Sequence, residues 1–302
     1  MSARDGLRHH AFVYRSDEEY VTRSLAFLRD GLEAGEAAIV ANTRDRLAIM
    51  RDALGPEADR VTFVDVSATY TRPARTIAAY YATFLEQLRS APSVRAVAEG
   101  QFGSTPSDWD EWASYEALTN LAYAHLPVWV VCTYGADRLP EPLLEMALRT
   151  HPEVLGDDWR HSDHFEDPRE MVLRLTRPPE PLPGLRSFAP GEDLEDFRER
   201  LARELAAENM PEARALDMLV AGTEVAANAL RHGAGIRAVR VGNVAGRFVC
   251  EIIDRGPGFD DPVAGYVAPR DGTGTGLWVA RQLTWKLESF KSPQGFTVRT
   301  WL

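Results

Sequence analysis

Lysine is nearly missing from this 302-residue chain: Lys286 and Lys291 are the only two. Residues 1–285 therefore cannot hold a Walker-A phosphate loop, whose lysine must reach the terminal phosphates. Cysteine is as scarce, with Cys132 and Cys250 on strand-like apolar runs in different halves of the chain. Two such thiols exclude a disulfide framework and point to a reducing, cytoplasmic setting. No apolar run approaches the ~20 residues that a membrane span requires, the longest lying around Val128–Cys132. The opening residues, Met1 to Arg8, lack the apolar stretch of a secretory leader. Positive charge is outweighed, with 34 Lys and Arg against 45 Asp and Glu, for a net charge of −11. So acidic a chain has no broad electrostatic grip on phosphate backbones, which argues against direct nucleic-acid binding.

What is present is an ordinary globular composition, 45% hydrophobic and 26% charged, long enough for two domains that each bury a core. In the first half, short apolar runs alternate with amphipathic stretches. Strands are expected at His10–Tyr14, Ala37–Ala41, Val61–Val66, Val94–Ala98 and Val128–Tyr134. Helices are expected at Thr43–Leu54, Arg75–Leu88 and Trp109–Ala124, and after a capping box formed by Ser16 and Glu19. Several strands are apolar throughout, which indicates an α/β domain whose parallel sheet is covered on both faces. Arg177-Pro-Pro-Glu-Pro-Leu-Pro-Gly184 reads as a semi-rigid spacer, because proline removes backbone donors and disfavours helix. The expected organisation is a domain over 1–175, a linker over 176–184 and a second domain over 185–302.

The second domain follows another plan. A short strand near Leu185–Phe188 leads to two long helices, about Asp193–Glu208 and Pro211–Arg231. Alternating strands follow at Val239–Val244 and Phe248–Ile253, joined by an Ala245-Gly246 turn. A glycine-rich loop, a helix over Leu277–Leu283 and strands at Leu287–Phe290 and Phe296–Trp301 complete an α+β sandwich.

Glu224, Asn228 and His232 are spaced by four residues and share one stripe of the second long helix. Downstream, Asp254-Arg-Gly256-Pro-Gly258 places a carboxylate at a strand end beside glycines. Gly272-Thr273-Gly274-Thr275-Gly276-Leu277 then runs straight into a helix, presenting backbone N–H groups to an anion without any lysine. Each feature alone is common. Their order and spacing resemble the N, G1 and G2 boxes of the GHKL (Bergerat-fold) ATPase superfamily. The resemblance implies ATP as ligand and Mg²⁺ held by Asn228, a hard ion suited to an amide oxygen. It further implies Asp254 reading the adenine amino group with Gly256 and Gly258 letting the backbone approach the base, Glu224 as catalytic base, the glycines and threonines of 272–276 with Leu277 around the phosphates, and His232 among the nucleotide-binding residues. Residues 259–271 would form a lid, with Arg270 or Arg231 countering phosphate charge.

The compact layout after residue 184 is similar to the anti-sigma-factor serine kinases. That similarity implies a sigma factor and a STAS-domain antagonist as partners, phosphorylation of the antagonist, and a homodimer as an open option. Two alternatives stay open: a sensor histidine kinase and a nucleotide-binding scaffold without phosphotransfer. The first would need a phospho-accepting histidine on a long amphipathic helix, and the stretch around His161 and His164 is polar and ends in proline.

The first domain resembles the MEDS sensory domain over about Leu7–Leu155. The resemblance rests on His10-Ala-Phe-Val-Tyr14, Phe27-Leu-Arg-Asp-Gly-Leu32 with Gly35-Glu36, Cys132-Thr-Tyr134 and His151-Pro152. It implies a RecA-like parallel sheet without its phosphate loop and a small-molecule sensory function. Ligands of such sheets gather beyond the carboxyl ends of strands. His10, Tyr14, Cys132, Tyr134 and His151 are accordingly the candidate sensory residues, suited to an apolar ligand or a metal, with a plainly buried Cys132 as the alternative.

Overall fold

The computed structural model describes residues 6–69, 72–156, 158–176, 181–269 and 274–302. The chain divides into two compact units, Met1–Leu175 and Thr176–Leu302. Residues 177–180 of the proline-rich spacer lie outside the described residues.

The first unit opens with β1 (Arg8–Tyr14), α1 (Asp17–Glu33), β2 (Ala37–Asn42), α2 (Arg44–Leu54), β3 (Val61–Asp65) and α3 (Val66–Thr69). It continues with α4 (Pro73–Gln87), β4 (Val94–Ala98), α5 (Pro106–Ala122), β5 (Val128–Gly135) and α6 (Glu141–Thr150). It ends with β6 (Glu153–Leu155), β7 (Trp159–His161) and α7 (Pro168–Leu175). The strands form one sheet in the order β3-β2-β4-β5-β1-β6-β7. Strands β1 to β5 pair in parallel, as the sequence leads one to expect, and β6, which the sequence reading lacked, joins β1 in parallel. The edge corrects a wholly parallel reading: β7 is antiparallel to β6. Only residues 156–158 separate the two strands, and a parallel return needs a crossover of a dozen residues or more.

Ser16 caps α1, its hydroxyl accepting the Glu19 N–H at 3.1 Å. The Glu19 carboxylate accepts from the N–H of Arg15, at 2.7 Å, so the reciprocal half of the expected box is displaced by one residue. Phe12, Tyr14, Leu28, Val40, Met50 and Val131 lie in the core cluster on the α1 and α2 side of the sheet.

The second unit contains β8 (Arg186–Phe188), α8 (Leu194–Ala207), α9 (Glu212–His232), β9 (Ile236–Val244) and β10 (Arg247–Asp254). After these come α10 (Gly276–Leu283), β11 (Lys286–Ser292) and β12 (Gly295–Trp301). Its sheet, ordered β11-β12-β10-β9-β8, is antiparallel at every pairing. Ala245 and Gly246 both have positive φ, the conformation a tight two-residue hairpin demands. One sheet face and the helices share a core in which Phe197 and Leu201 of α8 and Met218 and Val225 of α9 meet Val241 and Ile252. A Cβ at Gly222 would come within 2.7 Å of Leu201 Cδ2, so this glycine is what lets α8 and α9 approach closely.

Candidate functional site

In the second unit, α9 carries the polar stripe. Glu224 and Asn228 are half-buried and His232, one turn further on, is exposed. Past the helix end, the N–H groups of Gly233 and Gly235 both donate to the Ala229 carbonyl at 3.0 Å. Gly235 has φ +94°, and the turn it makes folds onto the end of β10. There the Arg255 N–H donates to the carbonyls of Gly233 (2.9 Å) and Gly235 (3.2 Å).

That turn sets Asp254 against Gly233. A Cβ at Gly233 would overlap the Asp254 carboxylate, and one at Gly256 would lie 2.7 Å from the Gly233 Cα. Asp254 is buried, and its Oδ1 accepts the Gly256 N–H at 2.8 Å. Burial raises its pKa above the usual carboxylate value, opposed by that N–H. A desolvated carboxylate fixed by a backbone N–H suits a further N–H donor.

At the other end of the stripe, Gly276 begins α10 with its Cα against the Glu224 carboxylate; a Cβ there would overlap Oε2. Thr275 precedes the helix and makes no side-chain capping bond. The first N–H groups of α10 thus have no side-chain acceptor from the cap, which is the arrangement that receives an anion. Gly274, at φ +67°, has open space where a side chain would be. Glu224 on α9 and Gly233, the residue just past its end, are nine residues apart, ~14 Å along the helix axis. A buried carboxylate and the open N-terminus of α10 therefore lie near opposite ends of this stretch of helix. Leu277 is half-buried and supports Gly265, whose Cβ would come within 2.8 Å of Leu277 Cγ. Gly272, Thr273 and Arg270 lie outside the described residues. Arg231 is exposed.

Gly258, at φ +70°, lies against the Phe296 ring, and Phe259 packs on the same ring at 4.9 Å between centroids. The segment beyond is held by a residue that the sequence reading missed. Arg281, buried on α10, donates from Nε to the Ala264 carbonyl (3.0 Å) and from Nη1 to the Leu287 carbonyl (2.9 Å). Its guanidinium lies 4.1 Å from the Tyr266 ring centroid. The signal was available: Arg281 follows Leu277 by four residues and so shares the inward face of α10.

In the first unit the five candidate sensory residues do not form one site, because strand alternation divides them. His10 and Tyr14 are on one face of β1. Cys132 and Tyr134 align with Ala11 and Val13 and so belong to the opposite face. His10 accepts from Trp129 Nε1 at 3.0 Å and lies 4.7 Å from the Trp159 ring. Burial, with His9 and Arg8 nearby, pushes its pKa down to about 3. Tyr14 joins a polar cluster at the strand ends: its hydroxyl donates to Glu99 at 3.2 Å and accepts from Arg46 Nη2 at 2.6 Å. Asn42 and Thr133 also donate to Glu99. Glu99 and Arg46 were not anticipated, although Glu99 directly follows the buried strand β4, at the end where parallel sheets take ligands. Cys132, Tyr134 and His151 do come together, around His9 and Glu116.

Comparison with known families agrees with this division. The MEDS model (MEthanogen/methylotroph, DcmR Sensory domain) matches residues 8–152. The Histidine kinase-like ATPase domain model matches residues 189–301. The chain thus carries an N-terminal MEDS sensory domain followed by a GHKL-type histidine-kinase-like ATPase domain capable of nucleotide binding. A sensory module coupled to such an ATPase is the make-up of a signalling or regulatory protein. No curated protein matches the chain. Among the described residues, no helix is long and apolar enough to cross a membrane.

Proposed function

We propose that the C-terminal domain binds ATP and transfers its terminal phosphoryl group to a serine or threonine hydroxyl of a protein partner, as an anti-sigma-factor kinase. In this reading the partner is a STAS-type antagonist, a sigma factor is bound reversibly, and the MEDS domain, read as a RecA-like sheet without a phosphate loop, supplies the sensory input. A homodimer through the ATPase domain belongs to the same reading.

The observation that carries it is the pairing at the two ends of α9: Asp254 against Gly233 and Gly256, and Glu224 against Gly276. At all three glycines the place of a side chain is taken by these packed neighbours, so the contacts tie both carboxylates to fixed backbone. Asp254 would accept a hydrogen bond from the adenine amino group, its carboxylate held against Gly233 and by the Gly256 N–H. Asn228, between the two ends on the same stripe, would hold Mg²⁺ through its amide oxygen, the ion neutralising phosphate charge. The N-terminus of α10 steadies the phosphates by its N–H groups. Glu224 accepts the proton of the attacking hydroxyl as the new phosphate ester forms and ADP leaves.

A sensor histidine kinase is supported less well. His161 ends β7 and His164 lies in a turn, and neither α7 nor α8 contains a histidine. The test is titration of the chain with ATP and Mg²⁺, then labelled ATP with a STAS partner. Binding, with acid-stable phosphoserine that disappears in Glu224→Ala, is the expected outcome. Binding without transfer would leave the scaffold reading, an acid-labile product the histidine-kinase one, and failure to bind adenine nucleotides would remove all three.

A further inference from the structure

Inside the MEDS domain, four buried side chains from separate elements converge: His9 of β1, Glu116 of α5, Cys132 of β5, and His151 just after α6. One ligating atom of each lies within 4.8 Å of all the others. Cys132 Sγ is 3.3 Å from His9 Nε2. Glu116 Oε2 is 3.4 Å from His9 Nε2 and 3.8 Å from His151 Nε2.

Hydrogen bonding around the cluster fixes which atoms carry protons. Asn120 spends its amide hydrogens on the carbonyls of Glu116 (3.1 Å) and Thr150 (2.9 Å), so its Oδ1 faces outward as an acceptor. His9 Nδ1, 3.2 Å from that oxygen, is then the donor, and His9 Nε2 is a bare lone pair. His151 Nδ1 lies 2.9 Å from the Ala147 carbonyl, which can only accept, so His151 Nε2 is bare as well. Tyr134 donates to Glu116 Oε1 at 3.3 Å, orienting the carboxylate with Oε2 toward the imidazoles. The interior thus holds two imidazole lone pairs, a carboxylate oxygen and a thiol, with the thiol proton as the one hydrogen available to them. Glu116 Oε2 and His151 Nε2 are buried without a hydrogen-bond partner.

We propose that His9, Glu116, Cys132 and His151 bind a divalent cation of borderline softness, zinc being the one whose preferences the set matches. Thiolate, imidazole and carboxylate ligands suit zinc and cobalt, whereas magnesium and calcium take oxygen ligands almost exclusively. Each histidine already gives its second nitrogen to an amide or backbone oxygen, the supporting bond that metal-ligating imidazoles make. Cation entry displaces the Cys132 proton to solvent. A cavity of about 20 Å³ adjoins His9, Glu116 and Cys132 and is walled by Tyr80, Phe84 and Val130. It has room for roughly one water, and so for one exchangeable ligand on the cation. The site is independent of the nucleotide reading of the other domain.

The test uses the full chain, stripped with chelator and titrated with Co²⁺ in the absence of nucleotide. One equivalent should bind with a thiolate-to-cobalt charge-transfer band and intense d–d bands, and Zn²⁺ should abolish both. Cys132→Ser should lose the charge-transfer band, Cys250→Ala should keep it, and Asn120→Ala should weaken binding about 10- to 100-fold. Far-UV circular dichroism of each variant without metal separates lost ligation from lost folding. If Cys132→Ser does not fold, the wild-type and Cys250→Ala spectra decide. The proposal is overturned if the folded wild-type chain takes up neither ion, or binds cobalt without the thiolate band.

Discussion

The Cα of Gly276, the first residue of α10, lies against the carboxylate of Glu224 on α9, so close that no Cβ fits between them. The proposed base and the phosphate-facing helix end are therefore held by one contact. Gly276→Ala should push Glu224 aside and weaken Mg-ATP binding at least tenfold, about 1.4 kcal/mol. Calorimetry checks this, and an affinity equal to that of the wild type would break the link between the two residues.

Asp254 gives a prediction in which stability and binding separate. Its folded-state pKa is raised, mainly by burial. A group shifted this way contributes stability that is complete below its unfolded pKa and is lost as pH rises through the folded value. Near neutrality the ionised side chain thus works against the nucleotide-free fold. Asp254→Asn keeps an acceptor for the Gly256 N–H and removes the charge. Its melting temperature should equal or exceed that of the wild type, while adenine-nucleotide binding falls by at least about tenfold. A variant that lost stability and kept affinity would reverse the assignment.

Arg281 should be costly to replace despite lying outside the proposed chemistry. Removing its guanidinium leaves the carbonyls of Ala264 and Leu287 without these donors and strips the Tyr266 ring of its cation. Arg281→Met, similar in volume, should destabilise the ATPase domain by about 2–4 kcal/mol. Denaturant unfolding followed by tryptophan fluorescence measures this, and a loss below ~0.5 kcal/mol would show that the residue is merely buried.

Cys250 predicts behaviour in alkali. Burial first, then the charge of Glu251, pushes its thiol up to about 12. The folded value exceeds the unfolded one, so the contribution is intact below pH 9 and disappears between about pH 9 and 12. Over that window stability should fall by up to about 1.4 kcal/mol per pH unit from this group, and Cys250→Ala should flatten the slope. Urea unfolding at several pH values checks it; identical slopes would count against the burial of this thiol.

Much of this architecture is legible in the residues themselves. The apolar run Ala37–Ala41 reads as a buried parallel strand because its side chains have no polar face to turn to solvent, and Ala245-Gly246 reads as a hairpin because its dihedrals demand such residues. Asp254, Glu224 and the glycines are visible as a spaced pattern, yet the contact of Gly233 with Asp254 is not, since it depends on how the turn after α9 folds. The reversal at β7 hides in strands three residues long, too short for periodicity to register. His9 and Glu116 escape for another reason. His10 draws the eye as part of an aromatic run, but the pleat sends His9 to the opposite face. Glu116 lies on a helix buried around most of its circumference, with Trp112, Ala113, Tyr115, Ala117 and Leu118 beside it. A carboxylate in such a helix must find partners inside the protein, and that requirement was the available signal.

Both lysines of the chain fall on β11, Lys286 beside Glu288 at 3.0 Å and Lys291 beside Asp260 at 2.8 Å. An amine-reactive dye therefore has no lysine target in the sensory half, and one conjugated at Lys291 would stand at the start of the segment following Gly258. Fluorescence from that single strand would report changes around Gly258, while the sensory domain offers the dye no lysine, a labelling asymmetry already built into the protein.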